Sequence, residues 1–107
     1  MPASEEMVTV CFGIVAAVGA AKSCYINAIT MAKDGDYEGA RQAIEEGNKD
    51  YSEGHKNHMR ILQRDASGDT PEFSLILMHA EDQMMSAETF RVIAEDFIDV
   101  YKKLNAR

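Results

Sequence analysis

Residues 73–104 read FSLILMHAEDQMMSAETFRVIAEDFIDVYKKL, a run that contains neither proline nor glycine. Its apolar residues recur at alternating steps of three and four, which is the spacing of one face of an α-helix. The pattern predicts a long helix whose continuous apolar stripe closes the core of the chain. The stripe consists of Phe73, Leu77, Ala80, Met84, Ala87, Phe90, Ala94, Phe97, Tyr101 and Leu104.

The same run carries a second stripe on another side of the helix. It consists of Leu75, Met78, Asp82, Met85, Thr89, Val92 and Asp96. The first half of this stripe is too apolar to face water, and the rest of the chain offers no further helix to cover it. We therefore expect the chain to self-associate through this face, with Asp82 and Thr89 as polar residues that fix the register.

Two breaks divide the remaining sequence into helices. Residues 33–36 (KDGD) supply a glycine that can end one helix and an aspartate, Asp36, that can cap the next. Residues 66–71 (ASGDTP) repeat the arrangement, with Pro71 in the favoured first position of a helix after Thr70. The sequence thus predicts helices at about 5–33, 37–66 and 71–105.

The predicted fold is all-α, an antiparallel up-down-up bundle of three helices in a single domain over residues 1–107, because the connections are short. The first helix should bury Met7, Cys11, Ile14, Val18, Ala21, Tyr25, Ala28 and Ala32. The second should bury a weaker stripe of Tyr37, Ala40, Ile44, Gly47, Tyr51, His58 and Ile61. Cys11 and Cys24 lie roughly 20 Å apart along one helix, on nearly opposite faces, so they cannot form a disulfide with each other.

Composition excludes several functional classes. The chain has 107 residues, with 18 acidic and 11 basic side chains and a net charge of −7, so it repels nucleic acid and anionic lipid. No stretch approaches the roughly 18 to 20 uninterrupted apolar residues expected of a membrane span. The apolar residues 8–21 follow acidic residues rather than the basic residues of a signal peptide. We expect a soluble, cytoplasmic protein.

His79 lies beside the second stripe, three residues before Asp82, so the imidazole and the carboxylate project from neighbouring positions on one helical surface. If copies of this helix meet around a symmetry axis, their Asp82 carboxylates converge and must protonate, bind a cation or repel. Spacing alone leaves both a structural and a catalytic role open for His79. His55 and His58 are one turn apart but have no third ligand nearby, which favours packing and surface roles.

Short segments spread along the chain match one family pattern: 20–23 (AAKS), 33–36 (KDGD), 53–55 (EGH), 64–68 (RDASG) and 75–85 (LILMHAEDQMM). In these segments the chain resembles the lactose/cellobiose-type enzyme IIA of the bacterial phosphoenolpyruvate-dependent sugar phosphotransferase system. The resemblance extends from Glu6 to Lys103. It implies a three-helix subunit that assembles as a homotrimer, with the third helices forming a central coiled coil.

The resemblance also implies an activity with a phosphohistidine intermediate. A member of this family accepts a phosphoryl group from the histidine-containing phosphocarrier protein and passes it to a cysteine of enzyme IIB, which works with a membrane enzyme IIC. By position, His79 is the histidine that is phosphorylated. By position, Asp82 is the residue that gathers around the threefold axis with a divalent cation, one Mg²⁺ per trimer, while exposed methionine and leucine side chains form the docking patch.

The chain departs from the family pattern near His79. The family commonly reads His-Ala/Gly-Gln-Asp-His, whereas this chain has Glu81 and Gln83, and it has His58 where the family usually has glutamine. Glu81 brings a negative charge near a site that must accept an anionic group. We predict that His58 and Gln83 exchange the family's Gln/His pair across one contact and so preserve a hydrogen bond.

Two other interpretations stay open at this point. One is a non-catalytic trimeric interaction module that keeps the fold and uses His79 for docking. The other is a helical bundle that binds a divalent metal through His55, His58, Glu81 and Asp82. The sugar, whether lactose, cellobiose or chitobiose, is not encoded here, because the resemblance implies that the membrane partner binds it.

Overall fold

The structure, a computed structural model, describes residues 4–106. It contains three helices, α1 (Glu5–Lys33), α2 (Tyr37–Ala66) and α3 (Leu75–Asn105), and no strand occurs among the described residues. The predicted all-α fold of three helices is confirmed. The bounds of α1 and α2 agree with the predicted spans.

The turn between α1 and α2 forms for the reasons that the sequence suggested. Gly35 has φ of +87°, a conformation that costs glycine little and other residues much. Asp36 then caps α2, since its carboxylate accepts a hydrogen bond from the Gly39 backbone N–H at 2.9 Å. The connection can therefore be very short, because Gly35 ends α1 and Asp36 directly starts α2.

The start of α3 differs from the prediction, which placed it at Pro71. Thr70, the expected cap, donates its hydroxyl to Asp65 Oδ1 at 2.7 Å instead. Ser74 has an extended backbone, and its hydroxyl accepts a hydrogen bond from the Leu77 N–H at 3.2 Å. The helix begins at Leu75 because Ser74, rather than Thr70, supplies the cap.

The core lies along α1. Every residue of the stripe predicted for α1 is buried. The stripe predicted for α2 is buried too, except that Tyr37 is only half-buried and that Gly54 belongs to it as well. Cys11 is buried and Cys24 half-buried, both as free thiols, and burial is the main reason why the pKa of each lies above its usual value.

Two glycines of α2 let it approach α1 closely. A Cβ atom on Gly54 would lie 2.6 Å from Val18 Cγ1, and one on Gly47 would lie 2.8 Å from Tyr25 Cε1. Both distances are shorter than atoms in contact tolerate, so only glycine fits at these two positions without a shift. The spacing between α1 and α2 thus depends on the absence of two side chains.

The first apolar stripe predicted for residues 73–104, which was expected to close the core, is buried less completely than predicted. Only its smaller or central members are buried, namely Ala80, Met84, Ala87 and Ala94. Phe73, Phe97 and Leu104 are 79%, 43% and 53% exposed. The molecule is a thin rod of 58 × 20 × 19 Å. Because α3 packs against only two helices, they cover the middle of its apolar stripe and leave other residues of the stripe exposed.

One expectation about membranes needs correction. Helix α1 is long and apolar enough, by length and composition alone, to cross a membrane, although no such segment was expected. The core helix of a soluble bundle passes the same test. In the structure α1 packs its apolar stripe against α2 and α3, which accounts for part of its apolar composition.

Candidate functional site

His79 lies in the second turn of α3, and its side chain is exposed. Among the described residues, no hydrogen bond or ion pair engages its ring. In the neutral imidazole one ring nitrogen carries a free electron pair, which makes it a nucleophile near neutral pH. The sequence-predicted residue is therefore displayed on the surface in a form that can react with an incoming group.

Asp82 is one turn further along α3 and is also exposed. No hydrogen bond joins it to His79 or to any other part of the chain that the structure describes. The two neighbouring side chains are thus not paired with each other. Both carboxylate oxygens of Asp82 are free to bind something outside the chain.

The stripe that contains Asp82 is uncovered along its whole length. We call it the outer α3 face; its members, all exposed, are Leu75, Met78, Asp82, Met85, Thr89, Val92 and Asp96. Leu75 is 82% exposed, Met78 and Met85 are each 47% exposed, and Val92 is 58% exposed. Four of its seven members are large apolar side chains, and exposed apolar surface of this extent is typical of faces through which proteins associate.

Magnesium, the cation that the sequence interpretation names, binds oxygen ligands, and carboxylates are its usual protein ligands. Asp82 supplies one such carboxylate from the outer α3 face. Within residues 4–106, no three His, Cys, Asp or Glu side chains gather closely enough to hold a metal. The donor set of one chain is therefore incomplete, but three copies of Asp82 around an axis would have the right chemistry.

His58 and Glu81 join α2 to α3. The Nε2 atom of His58 lies 2.8 and 2.9 Å from the two carboxylate oxygens of Glu81. The His58 side chain is only 8% exposed, whereas that of Glu81 is 40% exposed. The sequence predicted a contact of His58 with Gln83, and this was wrong, because positions 81 and 83 project from nearly opposite sides of a helix.

The Glu81 carboxylate is directed into the junction of the three helices. Burial, and after it the negative charge of Glu81, raises the pKa of the Cys11 thiol on α1. Glu81 is thus close enough to α1 and α2 for its charge to act on a core residue. It is turned away from the exposed surface on which His79 lies.

His55 does not belong to this cluster. Its ring stacks on Tyr51, with centroids 6.0 Å apart and planes 12° apart, and Arg91 lies 5.0 Å from the centre of the same Tyr51 ring. Of the metal ligands proposed for a metal-binding bundle, only His58 and Glu81 are in contact in the described structure. That ligand set was therefore wrong for a single chain.

A cleft that the sequence did not predict opens between the end of α2 and the start of α3. Its volume is about 480 Å³, and its lining is mainly apolar. It is lined by Ile61, Leu62, Asp65, Thr70, Pro71, Phe73, Leu77, Met78 and Glu81. The signal available in the sequence was a pair of large apolar residues, Leu62 and Phe73, on either side of a polar break.

Comparison with known proteins gives a consistent result. The family model described as "PTS system, Lactose/Cellobiose specific IIA subunit" matches residues 9–102. The lichenan-specific phosphotransferase enzyme IIA component of Bacillus subtilis (strain 168) is 33% identical over 101 residues, which are 94% of this chain and 92% of that protein. The matched segments include His79 and Asp82.

Solved structures agree with the sequence comparison. The PTS cellobiose-specific enzyme IIA from Bacillus anthracis superposes with a TM-score of 0.89 and 33% identity, over 92% of this chain and 91% of that one. The IIA(chitobiose) chain, solved in its complex with HPr from the N,N'-diacetylchitobiose branch of the Escherichia coli phosphotransferase system, gives a TM-score of 0.80 and 26% identity, over 95% and 99%. The likeness in fold therefore covers nearly the whole chain.

Proposed function

The chain belongs to the lactose/cellobiose-specific IIA family of the phosphotransferase system, and from this we propose that it carries phosphoryl groups on His79 during sugar uptake. It takes the group from HPr, the histidine-containing phosphocarrier protein, and passes it to a cysteine of enzyme IIB, which acts with a membrane enzyme IIC. The observation that carries the proposal is the exposed imidazole of His79, which no residue within 4–106 engages and which lies within the matched family segment. A relative solved in complex with HPr supports the donor.

Each transfer exchanges one bond to phosphorus for another. In the first, a ring nitrogen of His79 attacks the phosphorus, a new N–P bond forms, and the N–P bond of the donor phosphohistidine breaks. The electron pair returns to the donor imidazole, while the His79 ring releases its proton to solvent. In the second, the cysteine thiolate of enzyme IIB attacks, an S–P bond forms, and the N–P bond at His79 breaks. Such transfers need mainly positioning and charge stabilisation from the protein.

The surface around His79 suits contact with partner proteins. Met78 and Leu75 are exposed beside it, and flexible methionine side chains adapt to more than one partner. Both side chains also belong to the outer α3 face, so we expect HPr and enzyme IIB to dock on the surface around His79 that the trimer leaves open, including whatever part of these side chains stays exposed. The protein works as a soluble component in the cytoplasm, where both partners meet it.

The proposal includes assembly as a homotrimer in which the α3 helices form a coiled coil. The uncovered outer α3 face supports this, since none of the helices in the described part of the chain buries it. Within such a coiled coil the Asp82 side chains converge, and one Mg²⁺ at the axis would offset most of their negative charge. Asp82 would hold the cation, and the cation would order the surroundings of His79.

Replacing Asp82 with leucine tests the role of this residue. We expect Asp82→Leu to keep the trimer and lose the cation, because a leucine at this position continues an apolar face and removes converging like charges. Sedimentation analysis gives the assembly state, and metal analysis after dialysis against Mg²⁺ gives the cation content per trimer. Dissociation into monomers would contradict the assigned role of the outer α3 face.

The test of the function is an intact mass after incubation with phosphoenolpyruvate, enzyme I and HPr. Wild-type protein should gain one acid-labile phosphoryl group per chain. His79→Gln should gain none, while the control His55→Gln, which removes a surface histidine stacked on Tyr51, should gain one as wild type does. No gain in wild type beside an active HPr would contradict the proposal and favour a non-catalytic interaction module.

The same experiment extends to the sugar. The relatives described above are named for lichenan, cellobiose and chitobiose, and the chain is similar to all of them. Transfer from the phosphorylated chain to enzyme IIB proteins of different specificity would identify the cognate system.

A further inference from the structure

A second group of exposed apolar residues lies in the C-terminal half of α3. We call it the C-terminal α3 stripe; it consists of Ile93, Phe97, Val100 and Leu104. The four residues are between 39% and 53% exposed, and none of the described helices buries them. Phe97 and Leu104 were expected in the core, whereas Ile93 and Val100 belong to neither of the two stripes predicted from the sequence.

The C-terminal α3 stripe has the spacing of a coiled-coil contact. Its members follow one another at steps of four, three and four residues, as do residues by which one helix packs along another. The stripe begins at Ile93, four residues and about one helical turn after Thr89, so it continues in line from the middle of the outer α3 face. This continuity favours the same partner for both surfaces, namely the α3 helix of another copy.

The outer α3 face itself loses its apolar character after Val92. A strict seven-residue spacing leads from there to Asp96, Asp99 and Lys103, all of which are charged. Charges buried between helices lose their contact with water, which costs free energy, whereas buried apolar side chains stabilise an interface. The pattern therefore favours an interface that departs from the strict spacing after Thr89.

The two courses imply different shapes for the packed helices. The course through the C-terminal α3 stripe runs from Leu75 to Leu104 and covers 29 residues in eight steps, which is about 3.6 residues per step. This equals the number of residues per turn of a straight α-helix. A strict seven-residue repeat has about 3.5 residues per step, and helices that keep it must wind around each other in a left-handed supercoil.

We propose that the α3 helices of different copies meet first along residues 75–89 of the outer α3 face and then along the C-terminal α3 stripe. Val92 and Asp96 then lie at the edge of the interface, and the helices run nearly straight. This inference rests on the trimer included in the proposed function. It explains why four large apolar side chains stay exposed on α3 of a single chain.

The neighbouring residues Val92 and Ile93 provide a matched test, because they project about 100° apart around the helix. Both are exposed in one chain, so glutamate at either position is compatible with the fold of the monomer. Ile93→Glu should lower the mass in solution threefold, from trimer to monomer, because it brings three carboxylates together in the interface. Val92→Glu should keep the mass of a trimer. Sedimentation equilibrium gives the masses, and circular dichroism confirms the helix content.

Cysteine cross-linking measures the same interface without adding charge. Equivalent residues in the centre of a parallel, symmetric bundle lie close together, so Val100→Cys should form disulfide-linked dimers when diamide is added as the oxidant. The neighbouring Asp99→Cys should not, because it projects away from the C-terminal α3 stripe. The unsubstituted protein, whose Cys11 is buried and Cys24 half-buried, gives the background. Where Ile93→Glu does not fold, the cross-links decide alone.

A monomeric Val92→Glu beside a trimeric Ile93→Glu would overturn the inference in favour of the strict seven-residue spacing. Cross-links through Asp99→Cys and none through Val100→Cys would overturn it as well. A monomeric wild type would overturn both the inference and the proposed trimer. A trimeric wild type that active HPr does not phosphorylate would contradict the carrier function alone, and the two pairs of variants would still decide the interface.

Discussion

At the scale of single residues, Tyr25 shows how one polar atom is accommodated in the core. Its ring is fully buried, and its hydroxyl donates a hydrogen bond to Asn48 Oδ1 at 2.8 Å, which links α1 to α2. Burial is the main cause that raises the pKa of Tyr25 to about 12. The folded protein therefore keeps this proton at a pH where an unfolded chain has lost it.

Tyr25→Phe should destabilise the protein by about 1 kcal/mol at pH 8, because the hydrogen bond is lost and Asn48 remains without its donor. Above pH 10 the unfolded wild type releases the Tyr25 proton, whereas the folded wild type holds it until about pH 12. The folded state then binds more protons, so the stability of wild type falls as the pH rises through this window. Urea unfolding at pH 8 and pH 11 should show that the difference in the free energy of unfolding between wild type and Tyr25→Phe is smaller at pH 11. The same difference in free energy at both pH values would contradict the expected link between stability and the protonation of Tyr25.

The residue scale also separates what the sequence could predict from what it could not. His79 and Asp82 were predicted as site residues from their place on one helix face and from the family pattern, and the structure shows that both are exposed. The contact of His58 was assigned to Gln83 instead of Glu81, because such a contact depends on how α2 and α3 are rotated against each other. That rotation is set by the packing of the whole bundle, so the spacing of apolar residues along a single helix does not predict it.

At the scale of helices, the packing of α1 against α2 depends on glycines at the contact. Gly54 faces Val18 at a distance that leaves no room for a methyl group, whereas a Cβ on Gly19 of α1 would meet nothing within 4 Å. The two positions are therefore a matched pair. They separate the effect of close packing from the general preference of helices for alanine.

Gly54→Ala should destabilise the protein by about 1–3 kcal/mol, because the added methyl overlaps Val18 and forces the helices apart. Gly19→Ala should be neutral or stabilise it by up to about 1 kcal/mol, since alanine is the better helix former. Urea denaturation midpoints of the two variants provide the comparison. Equal effects of the two substitutions would show that the α1–α2 spacing is not set by Gly54.

Helix bounds were predictable wherever one residue was the obvious cap, as at Asp36. They were not predictable at α3, where two candidate caps lie four residues apart and Asp65 engages the nearer one. The burial of α1 was read correctly from its spacing. The burial of α3 was overestimated. The spacing of apolar residues identifies a stripe on the helix, but it does not show how much of that stripe α1 and α2 will cover.

At the scale of the whole molecule, the rod leaves exposed apolar side chains along one of its long sides. The outer α3 face runs along this side, and Met85 lies near its middle, 47% exposed. Met59, on α2, is exposed to a similar degree, 36%, but lies outside this face. The two methionines thus allow the same substitution to be tested on and off the outer α3 face.

Met85→Glu should convert the proposed trimer into folded monomers, because three buried carboxylates would add to those of Asp82 at the axis. Met59→Glu should leave the assembly unchanged. Multi-angle light scattering gives the mass of each variant, and circular dichroism confirms that both remain helical. Trimers of Met85→Glu, or monomers of both variants, would show that the outer α3 face is not the interface.

The cleft between α2 and α3 bears on how fast a phosphoryl carrier can work. Its volume of about 480 Å³ has room for a few side chains and not for an extended segment of a partner. Two proteins that use the same histidine in turn must each depart before the other arrives, so throughput depends on the lifetime of each encounter. If a partner side chain enters this cleft, so small a contact would favour brief complexes, whose strength is set mainly by how quickly they separate. A deeper cleft would be expected to bind such a side chain more tightly and so to slow the transfer of phosphoryl groups from one partner to the other.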